Sequence, residues 1–359
     1  MPSNALNLIL PLAGPISGAP SNPSSFTLNN ASDYAAWIFK VPAGLASYSL
    51  TKGMVTVVTV TGTAPTFTLT LEAVDAATGR PDGTPLATVD FLPISGDAGH
   101  VVTRTFDVAY SSAAGATLAL VMRHKSGTID GSNSVAVRSV IGNNNTRFPY
   151  AVTSDSGGST TNVNGVPIFG IQTAGGDYFG LPLRSIQQTN INANSSTSHE
   201  LGNLFTIPAT WFRTYQIAAV RVDVNGLVAS AVATVSIYSG TTSLQTGTLD
   251  MDTVGATSGA SIIEIPFTSL ATLNTGTPYR AVISNSSTGS NLTPVSIDVE
   301  ANADFAASPL GVDCYSSIRG NALGAWTDTN TRRVNMDLVL ANITQNSIGG
   351  FRSRLINAG

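Results

Sequence analysis

The chain has 359 residues and a mass of 36.9 kDa, too long for one ordinary core and comfortable for two domains. Only 11% of the residues are charged and the net charge is −4, so the basic footprint that a nucleic-acid partner requires is missing. Glutamate occurs only at Glu72, Glu200, Glu264 and Glu300, and lysine only at Lys40, Lys52 and Lys125, which argues against any large helical region.

Residues 1–34 carry Pro2, Pro11, Pro15, Pro20 and Pro23 and read as an extended N-terminal arm. Its run "ALNLILPLAGPISGAP" lacks a basic leading region and is broken by prolines. It is therefore not expected to be a signal peptide, and no stretch of the chain is expected to insert in a bilayer. Leu6, Leu8, Ile9, Leu10 and Leu12 are too apolar for a solvated tail, so the arm is expected to order on a neighbouring subunit and serve assembly.

The first domain is expected over 35–180. "IFKVPAG" (38–44) marks its first core strand, which the proline ends or places at an edge. "TFTLTLEAV" (66–74) alternates, with Phe67, Leu69, Leu71 and Ala73 on one face and Thr66, Thr68, Thr70 and Glu72 on a solvated one. The turn "VDAATGRPDGTP" (74–85) places Asp75 and Asp82 around glycines. Calcium uses such loops, but ordinary turn chemistry is the preferred reading. His124 in "MRHKSG" is expected at a strand end facing solvent.

The second domain is expected over 181–346. It opens with "LFTIPAT" (204–210), and "ATVSIYS" (233–239) repeats the alternation with Val235 and Ile237 inward. "HELGN" (199–203) starts like a zinc-protease motif but lacks the second histidine and reads as a strand entry. Asp250 and Asp252 in "LDMDT" carry the same weak calcium signal as the earlier turn. Residues 347–359 form a C-terminal tail.

The two halves repeat in one order. Phe39 precedes Phe205 by 166 residues, and Leu69 and Leu71 precede Val235 and Ile237 by the same interval. "RTFDVAYSSAAGATLALVM" (104–122) lies over "EIPFTSLATLNTGTPYRAVI" (264–283) at about 161, matching Phe106 with Phe267, Leu118 with Tyr279 and Leu120 with Ala281. "SVAVRSV" (134–140) lies over "PVSIDVE" (294–300) at about 160, and "AVTSDS" (151–156) over "AWTDTN" (325–330) at about 174. An offset constant within strands and shifting in loops is how a duplicated domain drifts. The expected fold is all-β: two tandem jelly-roll-like antiparallel β-sandwiches related by internal duplication, with the extended N-terminal arm.

No catalytic, cofactor-binding or metal-ligating set is expected. His100, His124 and His199 lack ligand spacing, and neither a nucleophile elbow nor a phosphate loop is present. Glu72 could be half of a glycosidase pair, but nothing supplies its partner. Trp37, Trp211 and Trp326 are candidate surface or ligand contacts, since exposed aromatics stack on sugars, with core or interface packing as the alternative.

The strand start "FKVPAG", the strand and turn "TFTLTLEAVDAATGRPDGTP" and the hairpin "FPYAVTSDS" resemble the β-sandwich modules of tailed-bacteriophage virion proteins. The likeness covers most of 35–175 and is weaker in the second half, which lacks the "GRPDGT" turn. The resemblance implies a non-enzymatic virion structural protein, a tail fibre, adaptor or head decoration, assembled in the host cytoplasm. Its partners would be itself, in a symmetric homo-oligomer such as a trimer, and other virion proteins. A carbohydrate-binding or receptor-binding module, with a cell-surface glycan as partner, is the alternative from another class; a glycan hydrolase is the third.

Overall fold

The computed structural model describes residues 6–7, 9–11, 24–44, 47–141, 152–153, 165–176, 178–180, 188–190, 200–209, 213–225, 232–253, 260–285, 292, 294–298, 314–320, 324–330 and 332–345. Strands dominate these residues and no α-helix occurs among them. None of their helical turns is long and apolar enough to cross a membrane.

The first half contains eight principal strands in order: Ser24–Leu28, Tyr34–Lys40, Ser47–Thr61, Thr66–Asp75, Arg80–Phe91, Val101–Ala113, Thr117–Ser126 and Ser134–Ile141. The first pairs with the eighth, the second with the seventh, the third with the sixth and the fourth with the fifth, all antiparallel. This is one long hairpin wrapped on itself. Ladders between eighth and third and between seventh and fourth complete two sheets, first–eighth–third–sixth and second–seventh–fourth–fifth. That connection pattern is a jelly roll.

The second half repeats it. Its strands are Gln188–Asn190, Glu200–Thr206, Arg213–Asn225, Val232–Ser239, Thr242–Asp250, Ala260–Asn274, Pro278–Asn285 and Val295–Asp298. The same four hairpin pairings recur, with a single bridge, Val224 to Pro294, joining the third strand to the eighth. Additional strands also correspond. Val152–Thr153 and Cys314–Arg319 each lie beside the second strand of their half. Gly165–Pro167 and Arg332–Val334 each lie beside the eighth, and Phe169–Thr173 and Met336–Gln345 beside the third. Trp326–Thr329 extends the second-half sheet past Cys314–Arg319.

Register matches as well as order. Phe39 faces Leu118 as Phe205 faces Tyr279, and Leu71 faces Leu120 as Ile237 faces Ala281. Positions matched by two separate sequence offsets are thus cross-strand partners in both halves. Even the irregularities agree. Thr51 stands unpaired opposite the excursion 106–109, and Ala218 opposite the excursion 267–270.

The details differ from expectation in three places. Ser24–Leu28 is the first strand of the first jelly roll, so that domain begins inside the segment read as an arm. Phe26 and Leu28 do alternate with Ser25 and Thr27, but over only five residues, too short a pattern to stand out next to the proline-rich segment before it. The "SVAVRSV" match is displaced by three residues, since Ser139 and Ser296 occupy the same place against Pro167 and Val334. Val152–Thr153 corresponds in position to Cys314–Arg319 rather than to the "AWTDTN" strand.

Each half buries a core between its sheets. A Cβ on Gly53 of the third strand would lie 2.6 Å from Leu69 Cδ2, 3.1 Å from Leu120 Cδ1 and 3.2 Å from Phe106 Cζ. Leu69 and Leu120 belong to the opposite sheet, so Gly53 makes room for them. At the equivalent second-half positions stand Val220, Val235 and Ala281, all buried: bulk has moved from one sheet to the other.

The N-terminal segment is paired within its own chain. Leu6–Asn7 runs parallel to Phe39–Lys40 of the first half, and Ile9–Pro11 runs antiparallel to Asp337–Val339 of the second. Within one chain, Leu6, Ile9 and Leu10 of the arm thus have strand partners in both halves. Leu8 and Leu12 lie outside the described residues. Nearby, the Ile343 amide donates to the Ala43 carbonyl at 3.0 Å, forming a seam between the halves. Gly44 sits there at φ +101°, and a Cβ on it would lie 1.8 Å from Asn342 Oδ1 and 2.3 Å from the Ile343 carbonyl oxygen. Only glycine suits both the dihedral and the space.

Candidate functional site

One set of charged and aromatic side chains gathers on the outer face of the second–seventh–fourth–fifth sheet in each half, and a separate ion pair, Arg221 with Glu264, joins the third and sixth strands of the second half. In the first half Tyr34 comes from the second strand, Arg123 from the seventh and Glu72 from the fourth. Tyr34 and Arg123 are cross-strand partners. Arg123 Nε donates to Glu72 Oε1 at 3.0 Å and Nη2 to Oε2 at 2.9 Å. Thr70 Oγ1 donates to Oε1 at 2.8 Å, and the Gly83 amide to Oε2 at 3.1 Å. The Arg123 guanidinium also lies 4.2 Å from the Tyr34 ring centroid.

Glu72 was expected on a solvated face, yet its side chain is only 1% exposed. Alternation tells which side of a sheet a residue faces, not whether that side is wet. Here the outer face carries Tyr34, Ala36, Ile38, Ala119 and Val121, a second apolar cluster apart from the main core. A carboxylate buried there requires paired donors on both oxygens, and it has them. Burial works against the Arg123 charge, but the hydrogen bonds and charge of Glu72 outweigh it and hold the guanidinium protonated more firmly than usual. Burial raises the Tyr34 phenol above its ordinary 10.0, with the charges of Arg123 and Arg80 opposing.

The second half uses the same two sheet positions with the residues exchanged: Glu200 stands where Tyr34 stands, and Tyr238 where Glu72 stands. Arg319, directly across from Glu200 on the neighbouring strand, completes the set. Tyr238 Oη donates to Glu200 Oε1 at 2.8 Å, and Arg319 Nε donates to Glu200 Oε2 at 2.6 Å. Arg319 Nη2 reaches the Tyr238 hydroxyl at 3.2 Å. Burial, then the hydrogen bond and charge of Glu200, raise the Tyr238 phenol.

Trp326 closes this cluster from the edge strand. Its ring centroid is 4.3 Å from the Arg319 guanidinium, 5.1 Å from that of Arg280 and 5.6 Å from the Tyr238 ring. Arg280 Nη2 donates to Asp328 Oδ2 at 2.7 Å and Nε to Ser317 Oγ at 2.9 Å, and Ser317 donates on to Asp328 Oδ1 at 2.6 Å. Gly202 occupies the strand position between these margins. With no side chain there, the long arginines and aromatics can meet across the sheet.

Of the tryptophans singled out, Trp37 is no surface contact. It is fully buried and stacked on Phe39 at 4.7 Å between centroids. Trp326 is part-exposed in the cluster above, and Trp211 lies outside the described residues. Asp75 accepts from the Ala77 amide and Asp82 from the Thr84 amide, both at 2.8 Å, as turn residues do. Those bonds, led by that of Ala77, hold the Asp75 carboxyl below its ordinary range. His124 Nε2 lies 3.0 Å from the Gly127 carbonyl oxygen. Glu200 begins a strand, as read from "HELGN". Asp250 is exposed, while the Asp252 side chain and His199 lie outside the described residues. Among the described residues no three His, Cys, Asp or Glu side chains gather as a metal set would.

The tyrosine–glutamate–arginine sets went unseen in the sequence because their members are far apart along the chain. One signal was present. Tyr34 and Glu72 align with Glu200 and Tyr238 at the interval of 166 that aligns Phe39 with Phe205.

Comparison of the chain with protein-family models, with curated proteins and with solved structures found no match.

Proposed function

We propose that this chain is a non-enzymatic structural protein of a tailed-phage virion, whose two jelly rolls arose by internal duplication and act as rigid building blocks. The observation that carries the reading is the engagement of Glu72 and Glu200. Both oxygens of each carboxylate are engaged, those of Glu72 by Arg123, Thr70 and the Gly83 amide and those of Glu200 by Tyr238 and Arg319, an arrangement that braces strands. The "FKVPAG" and "GRPDGT" resemblance supports the virion assignment, and a surface of hydroxyls and amides suits a particle component. The partners are further copies of the chain and other virion proteins.

The test is quantitative mass spectrometry of particles purified from a lysate that contains the chain. Stoichiometric incorporation is expected, with a low copy number for a tail fibre and a high one for a head decoration. Absence from every assembled particle would sink the proposal. A glycan-binding reading is favoured by one feature, part-exposed Trp326 beside Tyr238. Glycan-array binding lost in Trp326→Ala would establish it.

A further inference from the structure

We propose that the segment Leu6–Pro11 is an exchangeable strand that can dock on the seam of a second copy of this chain and link copies into an oligomer. The proposal goes beyond the virion reading and stands or falls without it.

The two halves fill the same sheet edge in different ways. In the first half, Phe169–Thr173 is flanked by Tyr178–Gly180, which arrives through a tight hairpin and then runs on to the first strand of the second jelly roll. In the second half, the equivalent strand Met336–Gln345 is flanked by Ile9–Pro11, which runs on to the first strand of the first jelly roll. The registers agree: Phe179 faces Ile171 as Leu10 faces Leu338. Each jelly roll is thus completed by the segment leading into the other.

The first of these insertions is fixed by a hairpin. The second comes from the far end of the sequence and is joined to Ser24–Leu28 through residues 12–23. The receiving seam has two walls, Phe39–Lys40 of the first half and Asp337–Val339 of the second, with the Ala43–Asn342 bridge on the same edge. Those walls belong to one chain, and they offer the same backbone partners to a Leu6–Pro11 segment from any copy. Which copy supplies it depends on the tether's effective concentration against the concentration of protein. A seam vacated by its own segment presents open N–H and C=O groups, which select for another strand. High local concentration, as in a growing assembly, therefore favours exchange.

The test mixes two single variants, Ile9→Cys and Val339→Cys, positions that face each other in the ladder. A disulfide between the two chains can form only by exchange. Both variants carry Cys314→Ser, because Cys314 is buried only in the folded chain and would compete during refolding. After joint refolding, the heterodisulfide is expected to rise about in proportion to protein concentration, and to be absent when Thr344→Cys replaces Val339→Cys. Sedimentation of the unsubstituted chain over the same concentrations should show a matching shift in mass. Closure of the double variant Ile9→Cys/Val339→Cys within single chains at every concentration would overturn the proposal. So would the absence of any disulfide.

Discussion

Replacing Gly53 by valine should destabilise the first jelly roll, and replacing Leu120 by alanine in the same chain should restore much of the loss. The Gly53 Cβ would meet Leu69, Leu120 and Phe106 at 2.6–3.2 Å, well inside ordinary carbon contact of about 3.5–4.0 Å. Overpacking of this kind costs about 1–3 kcal/mol, offset in part by about 0.5–1 kcal/mol from removing a strand glycine. Leu120→Ala alone empties part of a fully buried site and costs about 2–5 kcal/mol. Independent effects would sum to about 3–8 kcal/mol before the glycine offset. The second half shows the compensated arrangement, with Val220 beside Val235 and Ala281 in place of Leu69 and Leu120; in the first half Leu120→Ala would open the space into which Leu69 Cδ2, the closest contact, can turn. Valine adds the same number of carbons that leucine-to-alanine removes, so the double variant should lose no more than about 2 kcal/mol, a coupling near the upper end of the usual range of about 0.5–3 kcal/mol. A two-domain chain has no single unfolding free energy. The measurement is therefore amide exchange, followed by mass spectrometry, in the Ser47–Thr61 and Thr117–Ser126 strands. An additive double variant would refute the claim that the two sheets meet at this point in equivalent register.

Glu72→Ala should cost about 2–4 kcal/mol, below the figure for a fully buried pair because Arg123 keeps 30% exposure, and Arg123→Ala on top of it should recover part; amide exchange in the Thr66–Asp75 strand reads both. Tyr34 and Tyr238 both have phenols raised above 10.0, chiefly by burial. A folded-state value above the unfolded one gives stability that is whole below about pH 10 and lost as pH rises through the folded values. Thermal melts should therefore fall above about pH 10, and the Tyr34→Phe/Tyr238→Phe variant should fall less steeply; equal slopes would count against the clusters. Gly44→Ala should loosen the seam at a cost of about 1–3 kcal/mol, seen as faster exchange of the Ile343 amide with the core strands unchanged.

Strand alternation and the repeated intervals carried most of the architecture. Phe67, Leu69 and Leu71 are inward as their spacing predicts, and the matched pairs Phe39–Leu118 and Phe205–Tyr279 are facing partners. What escaped was whatever local pattern leaves weak or absent. Ser24–Leu28 carries one alternating pair, Phe26 and Leu28, and its ladder with Ser134–Ile141 makes it a strand of the jelly roll. The "AVTSDS" segment was matched by resemblance of letters, whereas sheet position pairs it with Cys314–Arg319, a strand of unrelated sequence. Trp37 stands two residues before Phe39 and shares its inward face, so the alternation that places Phe39 in the core places Trp37 there too. The clusters around Glu72 and Glu200 were invisible for a different reason. Each is assembled from strands that become neighbours only through the folded hairpin.

The exchange of tyrosine and glutamate between the halves shows which geometry the two clusters share. In both, the second-strand and fourth-strand positions are separated by the seventh strand, so a group bridging them must lie between or reach across. In the first half Arg123 stands in that intervening strand, opposite Tyr34. The corresponding second-half place holds Ser284, and the arginine comes instead from the far side, opposite Glu200. The arginine thus always faces the second-strand residue, whichever partner occupies it. The spacing of the two positions is common to both halves, while the residues standing at them are exchanged. Removing either arginine would leave a buried carboxylate without its charge partner.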